Sequence, residues 1–132
     1  MLTMALPRLL LIDDEPQLAA FVAKAADLCG YDPLIADGDH DFRAQYLAER
    51  PAIVALDLGM PGSDGIELLR FLADQGFKGP VLIISGFDRR VLDSAFRLGQ
   101  ALDLQMVGPL EKPTRLETLE AILLQLKPTL AP

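Results

Sequence analysis

The segment Arg8-Leu-Leu-Leu-Ile-Asp-Asp-Glu15 decides the fold, because a short apolar run ends there in three consecutive acids. A run of this length without polar alternation is typical of a strand that is buried on both faces. Pro16 follows at once, and proline is favoured in the first turn of a helix. The segment therefore predicts a buried strand that passes through an acidic loop into a helix.

Similar apolar runs recur along the rest of the chain, with amphipathic stretches between them. We predict strands over residues 8–12, 33–36, 52–56, 81–84 and 105–110. Strands that alternate with helices favour a parallel sheet covered by helices on both faces. Since crossovers in such sheets are right-handed, few topologies remain. We expect an α/β protein, a flavodoxin-like (βα)5 three-layer sandwich with strand order 2-1-3-4-5.

Two helices carry local signals that can be tested against a structure. The first places its apolar residues on one face and ends before Gly30. Those apolar residues are Leu18, Phe21, Val22, Ala25 and Leu28. Thr114, with Glu117 three residues later, predicts a capping box at the start of the fifth helix. We interpret Glu15 as a charge favoured by the first helix's dipole rather than as a metal ligand.

Composition limits the classes of function. The 132 residues include 12 basic and 19 acidic ones, which gives a formal net charge of −7. This length fits one domain, which we place at residues 1–126, with 127–132 as a C-terminal tail or the remnant of a linker. The acidic balance argues against direct binding to nucleic acid, because neutralisation of phosphates drives that affinity.

The apolar runs and the cysteine content indicate the cellular compartment. No stretch approaches the roughly 20 apolar residues that span a bilayer, so we expect no membrane segment. The single Cys29 cannot build a disulfide framework, and it fits a reducing compartment. We therefore expect a cytoplasmic protein.

Polar residues end four of the five predicted strands. Asp13 and Asp14 end the first, Asp57 the third and Ser85 the fourth, while the fifth runs into Lys112. Ligands of such sheets bind beyond the carboxyl ends of the strands, where the winding direction reverses between strands 1 and 3. The sequence therefore predicts one site that contains all of these side chains.

The predicted site has the chemistry of a cation centre. Two carboxylates about 4 Å apart repel by about 4 kcal/mol at an effective dielectric of about 20, so the cluster must protonate or hold a cation. Carboxylate oxygens with an open position suit Mg²⁺, which accepts a phosphate as a further ligand. An oxygen nucleophile, a metal, an ammonium and a hydroxyl together fit phosphoryl transfer, with an aspartyl phosphate as the product.

Four motifs, in this order, resemble the receiver domain of two-component response regulators along nearly the whole chain. They are Leu10-Leu-Ile-Asp-Asp-Glu15, Asp57-Leu-Gly-Met-Pro-Gly-Ser-Asp-Gly65, Ile83-Ile-Ser-Gly86 and Lys112-Pro113. The resemblance implies a signalling switch, not an enzyme that acts on an outside substrate. Such a switch catalyses at most its own phosphorylation and dephosphorylation.

The resemblance also implies a role for each site residue. Asp57 would accept the phosphoryl group, and Ser85 and Lys112 would hold its oxygens. Mg²⁺ would be bound directly by Asp14, Asp57 and the carbonyl of Gly59, with Asp13 acting mostly through water. The Lys112–Pro113 peptide bond is often cis in this family, and the small Gly86 would leave room for the phosphoryl group.

Partners follow from the same resemblance. The phosphoryl donor would be a sensor histidine kinase or a phosphotransfer protein. A downstream partner or output domain would bind the face formed by helix 4, strand 5 and helix 5. A second copy of the chain could pair through that face. The leucines Leu124 and Leu130, expected to be exposed, indicate a partner or dimer surface only weakly.

One position departs from the family pattern. In this family an aromatic residue of strand 5 usually moves together with the Ser/Thr hydroxyl on phosphorylation. Pro109 stands at that aromatic position here, and Phe87 and Met106 are the residues that could replace the aromatic. This leaves open a degenerate receiver that acts as a phosphate-independent interaction module. A phosphatase with an aspartyl nucleophile is disfavoured, because Gly59 stands where such enzymes carry a second acid.

Overall fold

The computed structural model describes residues 6–58, 65–86 and 89–130. The strands of this part are β1 Arg8–Ile12, β2 Asp32–Ala36, β3 Ile53–Asp57, β4 Pro80–Ser85 and β5 Gln105–Glu111. The α-helices are α1 Pro16–Leu28, α2 Gly38–Glu49, α3 Gly65–Asp74, α4 Arg89–Ala101 and α5 Leu116–Leu126. A short 3₁₀ helix, Lys127–Thr129, follows α5. Among these helices, none is long and apolar enough to cross a bilayer.

The five strands form one parallel sheet in the order β2-β1-β3-β4-β5. This confirms the predicted topology. Strands β3, β4 and β5 reach one residue further than predicted, to Asp57, Ser85 and Glu111. The polar residues at these ends still belong to the hydrogen-bonded ladder, so their backbones are fixed by the sheet.

A hydrophobic core fills the space on each side of the sheet. One core packs α2, α3 and α4 against it through residues such as Phe42, Leu69 and Leu92. The other packs α1 and α5 through Val22, Leu119 and others. The central strands are therefore covered on both faces, which explains why their sequences are continuously apolar.

The predicted apolar face of α1 is partly wrong. Leu28 is 62% exposed, whereas Ala19, Ala26 and Cys29 are buried. The small side chains let the helix lie close to the sheet, and the packed face is centred on them rather than on the large residues. Gly30 follows the helix end with φ +85°, as the prediction of a helix stop there requires.

The predicted capping box of α5 is also wrong. The N-cap residue is Arg115, and it makes no side-chain cap hydrogen bond. The Thr114 hydroxyl instead donates to the Glu111 carbonyl at 2.8 Å. The turn that closes after β5 uses this hydroxyl, so the helix begins one residue later than the pattern suggests.

Both edge strands contain a proline, Pro33 in β2 and Pro109 in β5. Strand β5 also has a bulge: Leu82 pairs with Val107 and Ile84 with Leu110, so two residues of β5 oppose Ile83. Gly108 lies in this bulge with φ +98°, and a Cβ there would approach the Ile83 carbonyl oxygen to 3.1 Å. The Gly108–Pro109 and Lys112–Pro113 bonds are both cis.

Candidate functional site

Four carboxylates meet beyond the ends of β1 and β3. One oxygen from each of Asp13, Asp14, Glu15 and Asp57 lies within 4.8 Å of the others. Asp57 is buried, whereas Asp14 and Glu15 are exposed. Because β1 and β3 are parallel neighbours, their carboxyl ends place Asp13, Asp14 and Asp57 together, as the sequence predicted. Glu15, interpreted from sequence as a helix-dipole charge, joins them in the cluster.

Lys112 contacts three of the four acids. Its Nζ is 2.9 Å from Asp57 Oδ2, 3.1 Å from Asp13 Oδ2 and 3.2 Å from Glu15 Oε1. The lysine side chain is only 12% exposed. An ammonium has three N–H donors, so these three carboxylates can accept one hydrogen bond each.

Burial and pairing shift the protonation equilibria of the site in opposing ways. Burial alone would lower the pKa of Lys112, but its hydrogen bonds to Asp57 and Asp13 raise the pKa above the usual lysine value. Burial raises the pKa of Asp13, against the hydrogen bonds from the Glu15 N–H and from Lys112. Lys112 is therefore a cation at neutral pH.

The loop after β1 fixes the position of Glu15. Its N–H donates to Asp13 Oδ1 at 2.9 Å, and its carbonyl accepts from the Ala19 N–H at 2.9 Å. Glu15 is the N-cap residue of α1, but its side chain makes no capping hydrogen bond. The carboxylate contacts Lys112 instead, a residue 97 positions along the chain. No local sequence signal could predict this contact.

Ser85 and Lys112 are connected through the backbone. Ser85 ends β4, is fully buried and pairs in register with Glu111. The Lys112 N–H donates to the Ser85 carbonyl at 3.1 Å. A Cβ on Gly86 would lie 3.3 Å from the Lys112 Cβ. A small residue at position 86 therefore leaves space for the lysine side chain. The family resemblance implies that the same small residue also leaves room for a phosphoryl group.

The donor set fits a hard divalent cation. The cluster contains four carboxylates and one ammonium, so negative charge is in excess, and Asp14 is open to water. Mg²⁺ prefers such oxygen ligands and keeps several waters. The predicted backbone ligand Gly59 and the alternative aromatic Phe87 lie outside the described residues.

The face of α4, β5 and α5 has mixed chemistry. Val91 of α4 and Leu124 of α5 are exposed, and Arg89 of α4 forms an ion pair with Glu111 of β5 at 2.8 Å. Pro109 is exposed at the edge, whereas Met106 is half-buried against Gly99 of α4. Leu130 packs against the core on the α1–α5 side. Leu124 is thus exposed, whereas Leu130 is partly buried within the chain.

Known proteins share both this sequence pattern and this fold. The sequence matches the response regulator receiver domain family over residues 9–124. The C4-dicarboxylate transport transcriptional regulatory protein DctD of Pseudomonas aeruginosa is 35% identical over 106 residues, 80% of this chain and 22% of that protein. Protein PilH of the same organism is 27% identical over 118 residues, 88% of this chain and 97% of PilH.

Solved structures agree on the fold. The chemotaxis response regulator CheY4 of Vibrio cholerae superposes with a TM-score of 0.76 at 22% identity, over 94% of this chain and 99% of that one. A response regulator from Colwellia psychrerythraea gives a TM-score of 0.75 at 26% identity, over 95% and 99%. The chain spans 22% to 42% of the length of three of its curated relatives.

Proposed function

Because this chain belongs to the response regulator receiver domain family, we propose that Asp57 accepts a phosphoryl group and thereby switches the chain between two signalling states. The single observation that carries the proposal is the contact of Asp57 with Lys112 within the four-carboxylate cluster. The proposal is supported because the candidate nucleophile and a cation lie side by side within a cluster of acids.

The proposed reaction is a direct transfer to the carboxylate. An oxygen of Asp57 bonds to phosphorus, and the bond between phosphorus and the donor's leaving atom breaks, so that an acyl phosphate forms. Lys112 donates a hydrogen bond to one phosphoryl oxygen, and the Ser85 hydroxyl donates to another. Asp13, Asp14 and Asp57, with the carbonyl of Gly59, would hold Mg²⁺, which offsets the charge that gathers on the transferred group.

The proposed partners are those of a two-component system. A sensor histidine kinase or a phosphotransfer protein would supply the phosphoryl group from a histidine nitrogen. A downstream partner or output domain would bind the face of α4, β5 and α5, and a homodimer would use the same face. Val91 of α4 and Leu124 of α5 are exposed. We place the receiver at residues 1–126 and the tail at 127–132, in the cytoplasm, where the free buried Cys29 fits.

Labelling with acetyl phosphate and Mg²⁺ tests the assignment of Asp57. The unaltered chain should gain one phosphoryl group by intact-mass spectrometry, and Asp57→Asn should gain none. Asp74→Asn, which removes an exposed acid on α3, is the control and should label normally. Equal labelling of the Asp57→Asn variant and the unaltered chain would reject the assignment.

The second candidate is a phosphate-independent interaction module. The exposed Pro109 at the usual aromatic position favours it, because the usual readout is missing there. Amide NMR during addition of Mg²⁺ and beryllofluoride separates the two candidates. Shifts in β4, β5 and α4 support the switch, whereas an unchanged spectrum supports the module.

A further inference from the structure

Lys112 has no N–H donor to spare in the described structure. Its three carboxylate partners match the three donors of an ammonium. A phosphoryl oxygen that binds Lys112 must therefore displace one of the three. Which carboxylate leaves most easily determines how readily the site accepts a phosphoryl group.

Glu15 is the partner that can leave at the lowest cost. Its side chain is 60% exposed, whereas those of Asp13 and Asp57 are 5% and 4% exposed. A buried carboxylate that loses its hydrogen bond has little water to replace it. The Glu15 carboxylate can return to solvent by rotation of its own side chain.

The Glu15 carboxylate makes no capping hydrogen bond at the start of α1. The backbone of Glu15 is held by Asp13 and by Ala19, and the side chain makes no cap hydrogen bond. A change of the carboxylate to an amide should therefore leave the helix start intact. This separates the contact with Lys112 from any part that residue 15 plays in folding.

We propose that Glu15 is a positioning residue that acts through Lys112: its carboxylate occupies one lysine donor until a phosphoryl oxygen takes its place. The inference rests on the proposed function of Asp57. The charge of Glu15 opposes phosphorylation in two ways, because it competes for the ammonium and because it repels an anionic donor. Glu15 thus lowers the rate at which small phosphate donors phosphorylate Asp57.

A charge-neutral variant measures the effect. Glu15→Gln keeps the shape of the side chain, and Glu117→Gln removes an exposed charge from the first turn of α5 as the matched control. With acetyl phosphate and Mg²⁺ at low ionic strength, we expect Glu15→Gln to label about two- to fivefold faster than the unaltered chain, the range that an exposed ion pair supports. Glu117→Gln should label at the unaltered rate.

Salt dependence distinguishes electrostatics from a structural effect. The ratio of the two labelling rates should fall towards one as the ionic strength rises, because salt screens the Glu15 charge. A ratio that stays constant in salt would contradict the electrostatic role. The signal of the Lys112 side-chain nitrogen, followed by ¹⁵N NMR without metal or donor, should shift in Glu15→Gln and not in Glu117→Gln.

The outcomes separate this inference from the function on which it rests. If the unaltered chain labels and Glu15→Gln labels no faster, the inference is overturned and the function of Asp57 stands. An unchanged Lys112 signal in Glu15→Gln overturns the inference whatever the labelling shows. If neither the unaltered chain nor Glu15→Gln labels, the proposed function fails, and the role of Glu15 fails with it.

Discussion

The ammonium of Lys112 lies 2.9 Å from Asp57, although the two residues are 55 positions apart in the sequence. Neither side chain is more than 12% exposed. Asp57 ends β3 and Lys112 follows β5, so their contact spans the intervening strand β4. The ion pair that offsets the negative charge of the site therefore depends on the folded arrangement of the strands rather than on neighbours in the sequence.

Replacement of Lys112 should destabilise the protein in the absence of metal. Lys112→Met leaves Asp13 and Asp57 close together without their cation, and we expect the free energy of unfolding to fall by about 1.5–3 kcal/mol. Urea unfolding followed by circular dichroism measures this change. Lys78→Met, at an exposed position, is the control.

Mg²⁺ should reverse much of this loss. A cation that binds the folded chain alone stabilises it by mass action, and the variant has the greater excess of negative charge. The stabilisation by millimolar Mg²⁺ should therefore be larger in Lys112→Met than in the unaltered chain. A smaller effect in the variant would argue against a shared cation site.

The Ser85 hydroxyl should matter for labelling. Loss of one hydrogen bond to a charged group costs about 1.5–3 kcal/mol, so Ser85→Ala should label at least about tenfold more slowly with acetyl phosphate. Ser85→Thr, which keeps the hydroxyl, should retain more activity. Ser94→Ala, at an exposed position on α4, should match the unaltered chain. Normal labelling of Ser85→Ala would exclude the hydroxyl from the site chemistry.

Tyr31 should titrate late. Its hydroxyl donates to the Leu123 carbonyl at 2.6 Å in the core, and burial raises its pKa from 10.0 to about 12. The only other tyrosine is Tyr46, so Tyr46→Phe leaves a single phenol to follow by ultraviolet absorbance. Half-titration near pH 10 in a chain that circular dichroism shows to be folded would contradict this prediction.

The same shift predicts a loss of stability in alkali. Because the folded pKa of Tyr31 is raised, its contribution is complete below pH 10 and is lost as the pH rises towards 12. The unaltered chain should therefore lose stability more steeply over this window than Tyr31→Phe does. If the urea midpoints of the two chains fell by the same amount as the pH rose from 10 to 12, the proposed link between the Tyr31 pKa and stability would be refuted.

Gly99 and Met106 should be energetically coupled. A Cβ on Gly99 would clash with the Met106 sulfur and lie 2.7 Å from its Cγ, so Gly99→Ala must move that side chain. Overpacking of this kind costs about 1–3 kcal/mol, against a gain of up to about 1 kcal/mol in helix propensity. A double-mutant cycle with Met106→Ala should show that the second change relieves the first. Additive effects would mean that α4 and β5 do not meet at this point.

The sheet could be predicted from sequence because its strands are short, apolar and separated by helices. The placement of Asp13, Asp57 and Ser85 followed from strand ends, since parallel strands bring their carboxyl ends to one edge. Topology alone thus located most of the site.

Features that depend on distant contacts were not predictable. The face of α1 was misplaced because Ala19 and Ala26 pack closely on the sheet while Leu28 is exposed. Thr114 resembled a helix cap, but its hydroxyl bonds to the turn after β5. The contact between Glu15 and Lys112 requires the first and last strands to be known in three dimensions. Local pattern indicates which element forms, and long-range packing determines what each side chain touches.

The prolines at the two borders of the sheet have a consequence for behaviour at high concentration. Pro33 and Pro109 carry no amide hydrogen, so an additional strand that approached β2 or β5 would lack a ladder hydrogen bond there. The extra residue in β5 further disturbs the regular ladder that such an approach requires. The chain is thereby protected against the ribbon-like self-association to which open sheets are prone.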